Sequence, residues 1–104
     1  MSVIKELQQQ VIDFGEQRGW RQFHCPKNLA MALSVESSEL VEIFQWLNPE
    51  QSQKLSPEQK AQAQSELADV VMYALLFADA SGIDIEQAVR EKLLTNEQRF
   101  PQTK

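Results

Sequence analysis

Glycine and proline are scarce, three and four among 104 residues, too few for the many tight turns of an all-β fold. A single cysteine, Cys25, excludes an internal disulfide and suits a reducing compartment. Long apolar runs are missing. The longest, Val70 to Ala78, is interrupted by Tyr73 and falls well short of the roughly 20 residues of a membrane span. The N-terminal MSVIKELQQQ lacks an apolar signal core, so the expected location is cytoplasmic. Basic charge is also short, ten Lys/Arg against fifteen Asp/Glu, for a net charge of −5. That field repels a nucleic acid polymer, whose binding rests on cations neutralising phosphates. A small phosphate ester is not excluded, because bound divalent cations reverse the sign locally.

The remaining pattern is helical, and 104 residues suffice for one domain, expected to span 1–104. Ile4, Leu7, Val11 and Phe14 repeat at helical spacing, so a first helix is expected over about 2–18, stopped by Gly19. A loop with Trp20, Phe23, His24, Cys25 and Pro26 leads to a second helix from about Asn28 to Leu47. The stretch from Pro49 to Leu55 reads as a polar linker. Ser56-Pro57-Glu58-Gln59 then offers a serine cap, proline at the first helical position and glutamine at the capping-box position. This third helix is expected to reach Ala80. A fourth, capped by Asp84 with Gln87 three residues on, fades at Phe100-Pro101. Short loops between long helices predict an all-α antiparallel four-helix bundle. The third helix is apolar on nearly every side beyond Glu66, more than a small bundle can cover alone. A homo-oligomer with that helix near the subunit interface is therefore expected.

Four acids carry the chemistry. Glu36 and Glu39 form E-x-x-E, and Glu66 and Asp69 form E-x-x-D. Residues three apart share a helix face. The first pair interrupts the stripe Leu29, Ala32, Ile43, Trp46, while the second continues into Tyr73, Leu76 and Ala80. Glu39 lies nine residues before Asn48 and Glu66 nine after Pro57; Glu36 and Asp69 are each twelve away. At 1.5 Å per residue the pairs stand about 14 and 18 Å from the hairpin end, so all four can meet in one layer. Clustered carboxylates must take up protons or bind cations, and an all-oxygen set suits Mg²⁺, with Mn²⁺ a plausible substitute. The bland alternative is a solvated acidic face. A di-iron site would need Glu-x-x-His on two helices, and the one histidine, His24, belongs to neither motif.

E-x-x-E and E-x-x-D, separated by the 26 residues Leu40 to Ser65, resemble the signature of the MazG-type all-α nucleoside triphosphate pyrophosphohydrolases. The likeness, to the small dCTP pyrophosphatase branch, rests also on G-W-R-Q-F-H-C-P-K-N-L (19–29) and K-L-L-T-N-E-Q-R-F-P (92–101), and W-x-x-F-H (20–24) and F-Q-W (44–46) are what narrow it. The resemblance implies a Mg²⁺-dependent enzyme, dimeric or tetrameric, that converts a (d)NTP, with dCTP or a modified cytosine nucleotide in view, to its monophosphate and pyrophosphate. It implies that Glu36, Glu39, Glu66 and Asp69 are the metal ligands. It also implies that Trp20, His24, Trp46 and Tyr73 surround the nucleotide, and that Lys92 and Asn96 reach it, in one version from a neighbouring subunit. Animal members carry a histidine on the first helix where this chain has Val11, which leaves the base open.

The residues themselves support part of this. Tyr73 is one turn beyond Asp69, and an aromatic beside a phosphate site can stack on a base; core packing is the alternative for both Tyr73 and Trp46. His24 could orient a phosphate or serve the loop. Lys92 and Asn96 share the stripe of Ile85, Ala88 and Val89, and inward polar groups need partners. Arg99 continues that stripe as a further substrate contact, or complements the helix C-terminus. The expected reaction is in-line attack of water on the α-phosphorus, with Glu36 or Glu39 as catalytic base. A dUTPase, a phosphoribosyl-ATP pyrophosphohydrolase and a non-enzymatic helical adaptor are the rival readings.

Overall fold

A computed structural model describes residues 2–103, and every regular element among them is helical. Helix α1 (Val3–Glu16) begins at Ser2, whose hydroxyl accepts from Lys5 N at 3.1 Å. It ends two residues earlier than expected, in a turn where Gly19 adopts a left-handed conformation (φ +69°) that costs a glycine little. A 3₁₀ turn (Arg21–Phe23) leads into α2 (Pro26–Phe44). Proline is at home in a first helical turn, so α2 starts two residues before Asn28. It stops at Phe44, three before Leu47, where Leu47 N turns back to Phe44 O at 2.9 Å.

The expected polar linker contains one helical turn, α3 (Pro49–Ser52). Asn48-Pro49-Glu50-Gln51 uses the same cap, proline and return-glutamine pattern as Ser56-Pro57-Glu58-Gln59, and both make reciprocal capping boxes. The second box opens α4 (Pro57–Ala80), the longest helix. Gly82 (φ +67°) turns the chain into α5 (Ile85–Arg99), capped by Asp84 accepting from Gln87 N at 3.1 Å.

Helices α2 and α4 pack along their length, and α1 lies more lightly on α4. Glu36, midway along α2, faces Glu66 and Asp69 midway along α4, while Phe44, the last residue of α2, shares a groove with Lys60 and Ala63 near the start of α4. The two helices therefore run in opposite directions. Gln8 Nε2 donates to Leu75 O at 2.9 Å and ties α1 to α4. Leu29, Leu75 and Ala78 form the fully buried apolar core. Helix α5 does not close a four-helix bundle within the protomer; its start is held by Lys5 against Asp84 at 3.7 Å. The radius of gyration is 16.6 Å, against about 13 Å for a compact chain of this length. Leu67 and Val71 of α4 remain 54% and 46% exposed, so the apolar girth of this helix is not covered inside one protomer. Among the described residues no helix is long and apolar enough to cross a membrane.

Candidate metal centre and adjoining cleft

The antiparallel pairing of α2 and α4 brings the acids together. One carboxylate oxygen from each of Glu36, Glu39 and Glu66 lies within 4.8 Å of the others. Asp69, one turn beyond Glu66, adds its negative charge to both Glu36 and Glu66. Oε2 of Glu36 and Oε2 of Glu66 are buried with no hydrogen-bond partner among the described residues. Such atoms are costly unless something unseen in the protein alone satisfies them. Burial, followed by hydrogen bonding with Glu39 and its charge, pushes Glu36 up to about 7 from an ordinary 4.5. Glu66 is raised as well, first by hydrogen bonding with Glu39, then by burial. No Lys or Arg lies among these causes. A set of oxygen donors with orphaned, mutually repelling atoms fits a hard divalent cation.

Beside Asp69 opens a cleft of about 270 Å³, lined by Val11, Phe14, Gly15, Trp20, His24, Met72, Tyr73 and Leu76 as well. Local hydrogen bonds build its far wall. Trp20 N donates to Gly15 O (3.0 Å), His24 N to Arg21 O (3.0 Å), and Asn28 Nδ2 to Phe23 O (3.0 Å). The Phe14 and Trp20 rings meet edge-on at 5.6 Å, and the Arg18 guanidinium stands 3.5 Å above the Phe14 ring centre. Three of the residues expected around a nucleotide, Trp20, His24 and Tyr73, thus share one cleft with Asp69. Phe14 and Met72 read in the sequence as core positions; their helical spacing could not separate a core face from a cleft wall. Gly15 gave no sequence signal at all.

The other expected contacts stand apart. Trp46 lies beyond the end of α2 and is 87% exposed, because the stripe that included it outruns the helix. Lys92, Asn96 and Arg99 sit on α5 and belong neither to the carboxylate cluster nor to the lining of the cleft; Lys92 and Arg99 are exposed and Asn96 half-buried. The Arg99 guanidinium lies 5.1 Å from the Phe100 ring centre.

A sequence model described as the MazG-like family matches residues 31–104. The dCTP pyrophosphatase 1 of Mus musculus is 38% identical over 100 residues, covering 94% of this chain and 59% of the mouse protein. The Homo sapiens protein of the same name is 36% identical over the same shares. The chain therefore spans about three-fifths of the length of these curated relatives. A pyrophosphatase crystal structure from Archaeoglobus fulgidus superposes with a TM-score of 0.90 at 35% identity, covering 98% of this chain and 95% of that one.

Proposed function

The chain belongs to the MazG-like family, and from that membership we propose that it is a Mg²⁺-dependent pyrophosphohydrolase converting a (d)NTP to its monophosphate and pyrophosphate. The observation that carries this reading is the convergence of Glu36, Glu39 and Glu66 within 4.8 Å. Glu36, Glu39, Glu66 and Asp69 would hold the cation, with Mn²⁺ as a substitute. Mg²⁺ supplies Lewis acidity, offsetting phosphate charge and making water more acidic. A carboxylate of Glu36 or Glu39 takes the proton as the water oxygen bonds to the α-phosphorus. The bond from that phosphorus to the bridging oxygen breaks, and pyrophosphate leaves in line. Trp20, His24 and Tyr73 hold the nucleoside in the cleft beside Asp69.

Lys92, Asn96 and Arg99 complete the substrate site in this reading, but from a second protomer. The exposed apolar surface of α4, the loosely attached α5 and the exposed Trp46 favour a homodimer or homotetramer. A substrate panel tests the activity. Each dNTP, dUTP and phosphoribosyl-ATP is incubated with protein and Mg²⁺, and the products are separated. Monophosphate plus pyrophosphate is expected; diphosphate plus orthophosphate refutes attack at the α-phosphorus. If Mg²⁺ neither raises the melting temperature nor supports any hydrolysis, the chain is a helical adaptor.

A further inference from the structure

Phe14 and Trp20 form an aromatic wall of the cleft beside Asp69, yet each residue is 45% exposed. Half-exposed side chains sample several rotamers, and a ligand that packs on them must first order them. The end of α1 orders this pair in advance. The helix stops at Glu16, so Arg18 N turns to Gly15 O (3.1 Å) and leaves Phe14 O without the amide a longer helix would bring to it. Arg18 supplies a donor from its side chain instead: Nη1 donates to Phe14 O at 2.9 Å. The same guanidinium lies over the Phe14 ring, 3.5 Å from its centre. Arg18 thus grips Phe14 twice, at the carbonyl and on the ring face.

Nearby acids do not compete for the guanidinium. Glu16 pairs with Arg21, Asp13 accepts from Gln9 Nε2, and among the described residues Arg18 forms no ion pair. A planar cation over an aromatic face is favourable, and the flat fork of arginine suits it better than the lysine ammonium. With one face of Phe14 covered by Arg18, the Trp20 ring meets it edge-on, and Trp20 N is held by Gly15 O at 3.0 Å. Arg18 is not among the residues lining the cleft, so its effect on a bound molecule passes through Phe14. We propose that Arg18 is a positioning residue for the nucleoside: by clamping Phe14 it fixes the Phe14–Trp20 wall before substrate arrives. This rests on reading the cleft as the nucleoside side of the site.

The test measures kcat and KM for dCTP and dATP with Mg²⁺ in the natural protein, Arg18→Met, Arg18→Lys, Phe14→Leu and Phe14→Leu/Arg18→Met. Arg18→Met should raise KM about two- to fivefold, the range of an exposed cation–ring contact, and leave kcat in place. Arg18→Lys keeps the charge and a donor but loses the planar fork, so it should recover only part of that rise. Once the Phe14 ring is gone, removing Arg18 should add nothing. The proposal is overturned by an unchanged KM in Arg18→Met, by a loss confined to kcat, by full recovery in Arg18→Lys, or by the same effect of Arg18→Met with and without Phe14. A second readout is independent of turnover. Trp46→Phe leaves Trp20 as the one tryptophan, and in that background Arg18→Met should increase its quenching by acrylamide; unchanged quenching overturns the clamp whatever the activity. If the natural protein hydrolyses no triphosphate, the pyrophosphohydrolase reading falls, and titration with dCMP and dAMP in Mg²⁺, followed by tryptophan fluorescence, decides Arg18 separately. Weaker binding in Arg18→Met upholds its role. Unchanged binding, or binding of neither to the natural protein, overturns it.

Discussion

Glu36 and Glu66 each have a buried oxygen that nothing among the described residues satisfies, and in the absence of a cation a proton is the available partner. Both carboxyls are raised, Glu36 to about 7. The folded state therefore binds more protons than the unfolded chain between 4.5 and about 7. The Glu36 contribution to stability is fully present below 4.5 and is lost as pH rises through about 7, and Glu66 acts in the same direction. Metal-free protein should accordingly lose melting temperature over that interval, as differential scanning calorimetry will read. Mg²⁺ competes with the same protons, so its stabilising shift should be larger at pH 8 than at pH 5; equal shifts would argue that it binds elsewhere. Asp69→Asn keeps the shape and removes a charge. It should lower kcat/KM on the order of 100-fold, in line with the loss of one preorganised electrostatic group, and near-natural activity would remove Asp69 from the ligand set.

At the scale of the helix, the two capping boxes differ in what they start. Ser56 opens a helix of 24 residues, Asn48 one of four. Ser56→Ala should cost about 1 kcal/mol in urea denaturation, as typical cap losses do, and Asn48→Ala clearly less, since only one turn depends on it. The sequence grammar made Ser56 legible, and Asn48-Pro49-Glu50-Gln51 carries the same grammar, but the polar Gln/Ser composition around it masked a helix of a single turn. The meeting of Glu36, Glu39 and Glu66 was legible for a firmer reason: face and height along a helix follow from residue count alone. Trp46 shows the limit. Its place on the Glu39 stripe assumed three more helical residues than the turn at Leu47 permits.

For the whole molecule, the apolar girth of α4 foretold incomplete burial, and Leu67, Val71 and Met72 are indeed left at the surface. Which surface covers them could not be read from periodicity, because burial by one's own chain and by a second copy leave the same pattern. Active-site complementation addresses this directly. Asp69→Asn and Lys92→Ala proteins, each weak alone, should recover a substantial part of the activity when unfolded together and refolded, if each site draws α5 from a neighbour. No recovery in mixed oligomers would place Lys92 in the site of its own chain or outside it. Leu67→Glu should shift the sedimentation coefficient toward the protomer, since a buried unpaired charge is strongly unfavourable.

The capped start of α4 also determines where this chain can tolerate a change of length. A residue lost or gained between Asn48 and Ser56 alters a surface connector and leaves the count from Ser56 to Glu66 intact. The same change between Pro57 and Glu66 would swing Glu66 and Asp69 by about 100° around the helix axis, away from Glu36 and Glu39. The connector is free to drift in length over generations, whereas the first ten residues of α4 are held to a fixed number whatever their identities.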